Sequence, residues 1–364
     1  MDGFDAARVE WNRLVSRLDP PSPFQSWEWQ HAWWRHFASP RSDRLRLLFF
    51  RREGELVGIA PYFERKRFGL AELRPLCWRD RITEHATLLF PPADQEELLR
   101  VLWQWLATRR WTSAAVPQVP GEDSLPAEAR SQVVGVEEIV FEYLRLPASW
   151  EAFEAGLGGS LRGNLRYYPR LMIREGHSHS FAMARTAREV TAALPVLWGL
   201  HSARAAAPTA NRHLDYLKPA RRRAFLLDVV PELAAQGRAG VGLFSMDGRV
   251  VSAQLWLEQD GVRYPYYSGF ATSATRYSAG MLTTAEVLKD AVASGVTRVE
   301  FLRGANHFKS RWGTETRVDT DVVLAPGRHL VRAQETYARH RKSLRRKLDR
   351  WRTRLELMVS SPQI

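Results

Sequence analysis

Residues 262–312 read VRYPYYSGFATSATRYSAGMLTTAEVLKDAVASGVTRVEFLRGANHFKSRW. This stretch decides the fold, because it spells strand, loop, helix and strand, then a polar loop holding Arg303, His307, Lys309 and Arg311. Val262–Tyr267 is aromatic and β-branched and alternates, which suits a pleated, half-buried strand. Arg276, Tyr277, Ser278 and Gly280 then precede an apolar helical pattern through Met281, Leu282, Ala285, Leu288, Ala291 and Val292. A loop opening onto a helix presents free backbone N–H groups and a positive dipole end, an arrangement that favours an anion. A crossover helix implies that the second strand, Arg298–Leu302, runs parallel to the first.

Outward from this segment, two alternating runs, Leu45–Phe50 and Leu56–Phe63, flank Glu53-Gly54-Glu55 as a hairpin. Ser26 is placed to cap a helix over Trp27–Phe37. His85–Phe90 reads as a short strand, and Asp94 with Glu97 as a capping box opening a helix to about Arg109. Further strands are expected near Trp111–Val116 and Val134–Leu144, and Ser149 should cap a helix leading into the second half. A helical region follows to about Gly237, interrupted by Pro195, Pro208 and Pro219. Phe50–Ala60 lines up with Phe244–Gln254, keeping the Phe-to-Gly spacing and a hydrophobic pair in register. The expected architecture is therefore a mixed α/β chain built from two copies of one unit. The copies are unequal, since the first half has no counterpart of the Arg276–Gly280 loop, so one cofactor site is expected, in the second.

Composition bounds the rest. The 364 residues are 45% hydrophobic with 14 tryptophans, enough for two cores. A single cysteine, Cys77, allows no intramolecular disulfide and fits a reducing compartment; beside Trp78 it reads as a small buried hydrophobe. The N-terminus lacks the basic-then-apolar layout of a signal peptide, and no apolar run is long enough to span a bilayer. A cytoplasmic location is expected. The net charge of +13 is concentrated at the C-terminus, where eleven Lys/Arg stand between Arg328 and Arg354 against Glu335 and Asp349. Tyr337, Leu344, Leu348, Trp351, Leu355 and Met358 place an apolar stripe on that segment, which reads as an amphipathic helix docked on the body. The same charge suits a weak contact with an anionic membrane surface or RNA. G-x-S-x-G, P-loop and H-E-x-x-H motifs do not occur, so hydrolase, nucleotidase and zincin chemistries have no support. His177 and His179 could share a strand face, but no acidic or thiol ligand lies near them in sequence, and no metal is expected.

The C-terminal stretch resembles the signature of GNAT-type acyltransferases related to bacterial cellulose-biosynthesis CelD proteins and the BioF2-like acetyltransferases. That pattern runs as an aromatic strand, R-Y-S-P-G-hydrophobic, a helix ending in glycine, then D-F-L-R-G and Y-K-x-x-W. Here it stands as Tyr264–Tyr267, Arg276-Tyr277-Ser278-Ala279-Gly280-Met281, Gly295, Glu300-Phe301-Leu302-Arg303-Gly304 and Phe308-Lys309-Ser310-Arg311-Trp312. Ala279 replaces proline, Glu300 aspartate and Phe308 tyrosine. Ser160-Leu161-Arg162-Gly163-Asn164-Leu165-Arg166 echoes the family's serine followed by arginines. The family is related to the Fem aminoacyl transferases, which carry two GNAT folds in tandem.

The resemblance implies a GNAT-like unit over 1–148, a second GNAT unit with the acyl-CoA site over 149–327, and a basic helix over 328–364. It implies an N-acyltransferase that takes acetyl-CoA or another acyl-CoA as co-substrate and a small-molecule amine as acceptor, with a place in polysaccharide or envelope biosynthesis. Tyr267, Ser268 and Arg276, Tyr277, Ser278, Ala279, Gly280 and Met281 would hold the donor. Glu300 at the strand end would be the base, with Lys309 and Arg303 receiving an anionic part of cofactor or acceptor. A diphosphate can be taken up by backbone N–H groups and one arginine without a metal. A Fem-like aminoacyl-tRNA donor and a non-catalytic scaffold are the alternatives.

Overall fold

A computed structural model describes residues 2–67, 70–78, 82–207 and 214–326. Its first half runs α1 (Asp2–Ala6), α2 (Arg8–Val15), α3 (Trp27–Phe37), β1 (Asp43–Arg52), β2 (Glu55–Arg67), β3 (Leu70–Pro75), α4 (Gln95–Ala107), β4 (Ser113–Val119), α5 (Ala127–Arg130) and β5 (Val133–Arg145). The second runs α6 (Trp150–Gly156), α7 (Gly159–Arg174), β6 (His179–Ala184), α8 (Ala187–Ala206), α9 (Ala220–Ala235), β7 (Ala239–Met246), β8 (Arg249–Gln259), β9 (Val262–Phe270), α10 (Ala279–Ala293), β10 (Arg298–Arg303), α11 (His307–Ser310) and β11 (Glu315–Leu324).

These strands form one mixed sheet in the order β1-β2-β3-β4-β11-β5-β10-β9-β8-β7-β6. Exchanging β1–β5 for β7–β11 reverses that order, apart from the extra β6. The weak repeat in the sequence is thus the trace of a pseudo-twofold axis. The two hairpins repeat in detail: each has positive φ at both turn residues (Glu53 51° and Gly54 86°; Asp247 51° and Gly248 73°). Each also breaks register just before its turn, at Phe50/Arg51 and at Phe244/Ser245. Each copy has a crossover helix, α4 or α10, between parallel strands that pair at only two positions: Glu72–Ser113 and Leu73–Ala114, or Arg298–Val262 and Val299–Arg263. The last strands are exchanged. β11 lies between β4 and β5, and β5 pairs with β10, so each half completes the other's sheet.

Apolar faces fix three layers. Phe4, Trp11, Trp29 and Trp33 of α1–α3 join Leu194 and Leu197 of α8 and Phe225 and Val229 of α9 in one cluster on one face. On the other face α4 buries Leu98, Leu102 and Leu106 against the first copy. There α10, α6 and α7 bury Leu282, Leu288, Phe153 and Met172 against the second. Trp27–Phe37 is helical as expected, with Ser26 Oγ accepting from Trp29 N at 3.3 Å, and Ser149 Oγ accepts from Ala152 N at 3.2 Å. Three local expectations are corrected. His85–Phe90 makes only one bridge, Leu89 to Ile59, on the part of β2 that β3 leaves unpaired. Asp94 precedes a helix but makes no cap bond; its carboxylate goes to Arg52 at 3.0 Å and Arg17 at 3.3 Å. Pro195 lies inside α8 rather than interrupting it. No described helix is long and apolar enough to cross a membrane. The basic segment expected over 328–364 lies outside the described residues.

Candidate active site

β9 and β10 start as a parallel pair and then separate, and both strands bulge where they part. On β9, Tyr266 and Tyr267 together stand opposite Leu255. On β10, Phe301 and Leu302 stand opposite Glu142, with Leu302 forced to φ 66°. A bulge leaves one residue out of the ladder and re-aims the strand, so backbone groups at the gap are released from sheet pairing. Arg263 locks the closed end: it is buried, ion-paired to Glu258 (2.7 Å) and Asp290 of α10 (2.6 Å), and donates to Val287 O at 3.2 Å.

Beyond the bulge, β9 runs hard against α8. A Cβ at Gly269 would fall 2.3 Å from His201 N and 2.5 Å from Leu200 C, so only glycine permits this approach. His201 is buried, with Nδ1 2.9 Å from Ser268 O and its ring edge-on to Tyr267 at 5.6 Å. Burial holds that imidazole below its usual range, with the Ser268 carbonyl opposing. Arg204 Nη1 donates to Ser268 Oγ at 3.2 Å. The tyrosine and serine expected to hold the donor are therefore at the splay, and two residues of α8 not singled out in the sequence join them.

At the open end a turn over Thr272–Tyr277 leads to Ser278, which is left-handed (φ 51°, ψ 38°), and α10 begins directly after it. Met281 N and Leu282 N bond back to Ser278 O at 2.9 and 3.1 Å. The amides of Ala279 and Gly280 precede the first intrahelical acceptor position, at the positive end of a helix of 15 residues. A Cβ at Gly280 would sit 3.1 Å from the Phe270 ring at the end of β9, so loop and strand end are in contact. Ala279 and Met281 are buried in the α10 core. Arg276 is exposed and paired with Glu175, which also accepts from Tyr277 Oη at 2.7 Å. That hydrogen bond, with burial, pushes the Tyr277 phenol up. The guanidinium is thus held beside the loop by an acid at the end of α7. The geometry fits a diphosphate on backbone amides, with Arg276 available once it leaves Glu175.

The three expected catalytic residues do not share a point. Glu300 sits within β10 rather than at its end, fully buried, with Oε1 2.5 Å from Arg298 and 3.4 Å from Arg317. Its Oε2 has no hydrogen-bond partner among the described residues. Burial raises its carboxyl above the usual range, against the two arginines. Arg303 is turned to the first copy, donating to Glu84 O at 2.8 Å. Lys309 spends all three N–H groups on carbonyls, Leu302 (3.1 Å), Arg303 (2.8 Å) and Gly304 (2.7 Å). It clamps the turn that follows the β10 bulge and has no donor left for an anion. His85 of the first copy joins this region: it is buried, tilted against Phe141 at 4.7 Å and edge-on to Tyr264 at 5.8 Å. Burial and then Arg317, Arg303 and Arg298 hold it well below the usual histidine range. Of the other histidines considered, His177 bonds Asp247 at 2.7 Å and His179 stacks on Phe244. Among the described residues no group of His, Cys, Asp or Glu is placed to hold a metal. Cys77 is buried.

Residues 159–310, which contain the whole β9–α10–β10 unit, match the acetyltransferase (GNAT) domain family. Residues 159–310 thus carry a GNAT-type acetyltransferase domain, which supports an acyltransferase. No curated protein matches the chain in sequence. Solved structures share its fold at low identity. FemX is 10% identical with a TM-score of 0.63, covering 90% of this chain and 98% of its own. A conserved protein of unknown function from Bacteroides thetaiotaomicron VPI-5482 is 10% identical with a TM-score of 0.55 over 88% of this chain and 97% of its own. The C-terminal domain of a putative lysylphosphatidylglycerol synthetase from Agrobacterium fabrum is 11% identical with a TM-score of 0.51 over 85% and 90%.

Proposed function

We propose that this acyltransferase takes its acyl group from acyl-CoA and passes it to an amine, with one donor site, in the second copy. The observation that carries the reading is the β9–β10 splay with the first turn of α10 at its mouth. The first copy has the matching pair of strands, but its described residues between Pro75 and Gln95 include no counterpart of the turn that leads into α10. In this reading the thioester arm lies between Tyr267–Ser268 and Phe301–Leu302, and the diphosphate meets the amides after Ser278. The neutral amine attacks the thioester carbonyl, a strand N–H freed at the bulge meets the developing oxyanion, and CoA leaves as the thiolate. Glu300, whose raised carboxyl favours accepting a proton, is the proposed base. Unit boundaries at 148 and 327 follow the same reading. The CelD and BioF2-like branch and a role in polysaccharide or envelope synthesis rest on the sequence resemblance. An aminoacyl-tRNA donor is the second reading, supported by the overlap with FemX along nearly the whole chain.

Calorimetric titration with acetyl-CoA tests the donor. Gly280→Asp places a carboxylate beside the α10 amides and should weaken binding at least tenfold, about 1.4 kcal/mol. Gly280→Ala adds the same Cβ near Phe270 without charge and should cost much less. Equal affinity for both variants and the parent protein would remove the diphosphate from this loop.

A further inference from the structure

Arg204 is the residue the fold leaves without an electrostatic explanation. It stands in the last turn of α8, half-buried, with Nη1 on Ser268 Oγ at 3.2 Å and its guanidinium carbon 5.1 Å from the Phe270 ring centre. It forms no ion pair among the described residues, and burial alone lowers its basicity, with no carboxylate acting on it. The nearest acid in sequence, Asp215, is taken up by Ser202 Oγ (2.7 Å) and the Leu217 amide (3.1 Å). The helix C-terminus favours a cation, which accounts for an arginine here. It does not account for one drawn in over Ser268 and Phe270 rather than extended into water, since a desolvated charge is costly unless it is paired.

The contacts also fix what Arg204 faces. Ser268 and Phe270 form the end of β9, at the mouth of the splay. α8 covers the sheet face opposite to α10, and in the proposed reading the donor's diphosphate is met from the α10 side. We propose that Arg204 is an anion receptor at the mouth of the site, reading a carboxylate or phosphate carried by the acceptor amine. This rests on the acyl-CoA reading for the identity of the two substrates, but not for the presence of the anion site. A planar guanidinium with Nη1 on Ser268 keeps its other N–H groups for a two-point grip on an oxyanion.

The test uses the full chain saturated with CoA, titrated calorimetrically with inorganic phosphate and, separately, with acetate. Saturable binding on the order of millimolar is expected for at least one anion. Arg204→Gln should weaken it at least tenfold, more than it weakens CoA binding, and Arg204→Lys should be intermediate because the charge remains and the fork is lost. Preference for phosphate over acetate, or the reverse, separates the two kinds of acceptor. Absence of saturable anion binding to the CoA-loaded protein would overturn the proposal. So would loss of CoA affinity in Arg204→Gln with anion binding intact, because Arg204 would then serve the donor. If the parent protein does not bind CoA, the donor reading fails, and the same titrations on the unliganded protein still decide whether Arg204 receives an anion. Should Arg204→Gln not fold, as judged by its circular dichroism melt, Arg204→Lys decides by the same criteria.

Discussion

Gly269→Ala isolates the contact on which the splay depends. The added methyl would lie 2.3 Å from His201 N, 2.5 Å from Leu200 C and 2.9 Å from His201 Cα. Carbon contacts are favourable near 3.5–4.0 Å, so α8 and β9 must separate by roughly 1 Å. All three atoms are helix backbone and cannot rotate away. The helix is also tied down by Leu194 and Leu197, which are fully buried, and by His201 on Ser268 O. Overpacking usually costs about 1–3 kcal/mol, and a backbone clash belongs at the top of that range. At an unfolding entropy of about 2.1 cal/mol/K per residue, a chain of 364 residues shifts by about 1.3 °C per kcal/mol, so the melting midpoint should fall by about 4 °C. Gly199→Ala, on the same helix, meets nothing within 4 Å and should be neutral or stabilising by up to about 1 kcal/mol. Circular dichroism melts of the two variants give the comparison, and acetyl-CoA titration should show weakened binding only for Gly269→Ala. A Gly269→Ala protein that melts with the parent and binds acetyl-CoA equally well would refute the close approach and its role in shaping the site.

Glu300→Gln should retain CoA affinity while turnover, followed by thiol release, falls by roughly 10²- to 10⁴-fold; full activity would make the buried Glu300–Arg298–Arg317 group purely structural. Asp43 should support stability in a pH-dependent way. Burial raises its carboxyl, but the two-point grip of Arg65 (2.8 and 2.6 Å), the Ser39 amide and the Ser42 hydroxyl outweigh this and hold it below the ordinary range. A lowered folded value means the contribution is present above the unfolded value of about 3.9 and is lost as pH falls through the folded one. The urea-midpoint gap between the parent and Asp43→Asn should therefore close below about pH 4, and a gap constant from pH 7 to 3 would exclude the pair as its source.

What the sequence made legible was local. Ser26 before an amphipathic run marks α3 to the residue, and Glu53-Gly54-Glu55 between alternating runs marks the β1–β2 hairpin, because capping and turn chemistry act over a few positions. The β9–α10–β10 unit could be read for the same reason. The exchange of β5 and β11 could not: nothing within either strand says which half will pair with it. The repeat hints at it only once the structure shows Leu302 opposite Glu142 matched by Gln118 opposite Asp321, each with positive φ on the bulged side. His201 and Arg204 lay inside what reads as ordinary helix, and their importance comes from a β9 bulge more than sixty residues away.

Lys309 shows the converse error. Residue type suggested an anion receptor, yet the preceding turn, with positive φ at Leu302 and Gly304, aims three carbonyls at one point. A lysine ammonium carries three donors, so it fits that point better than it fits a mobile substrate. The chain thus divides its cations by what the backbone offers. Lys309 closes a strained strand end, Arg298 and Arg317 neutralise a buried glutamate, and Arg276 rests on Glu175. Among the described arginines bordering the splay, Arg204 alone is drawn inward with no carboxylate of the described residues to meet it. That difference follows from the placement of acids and carbonyls in three dimensions, which is why no count of charges along the sequence could single it out.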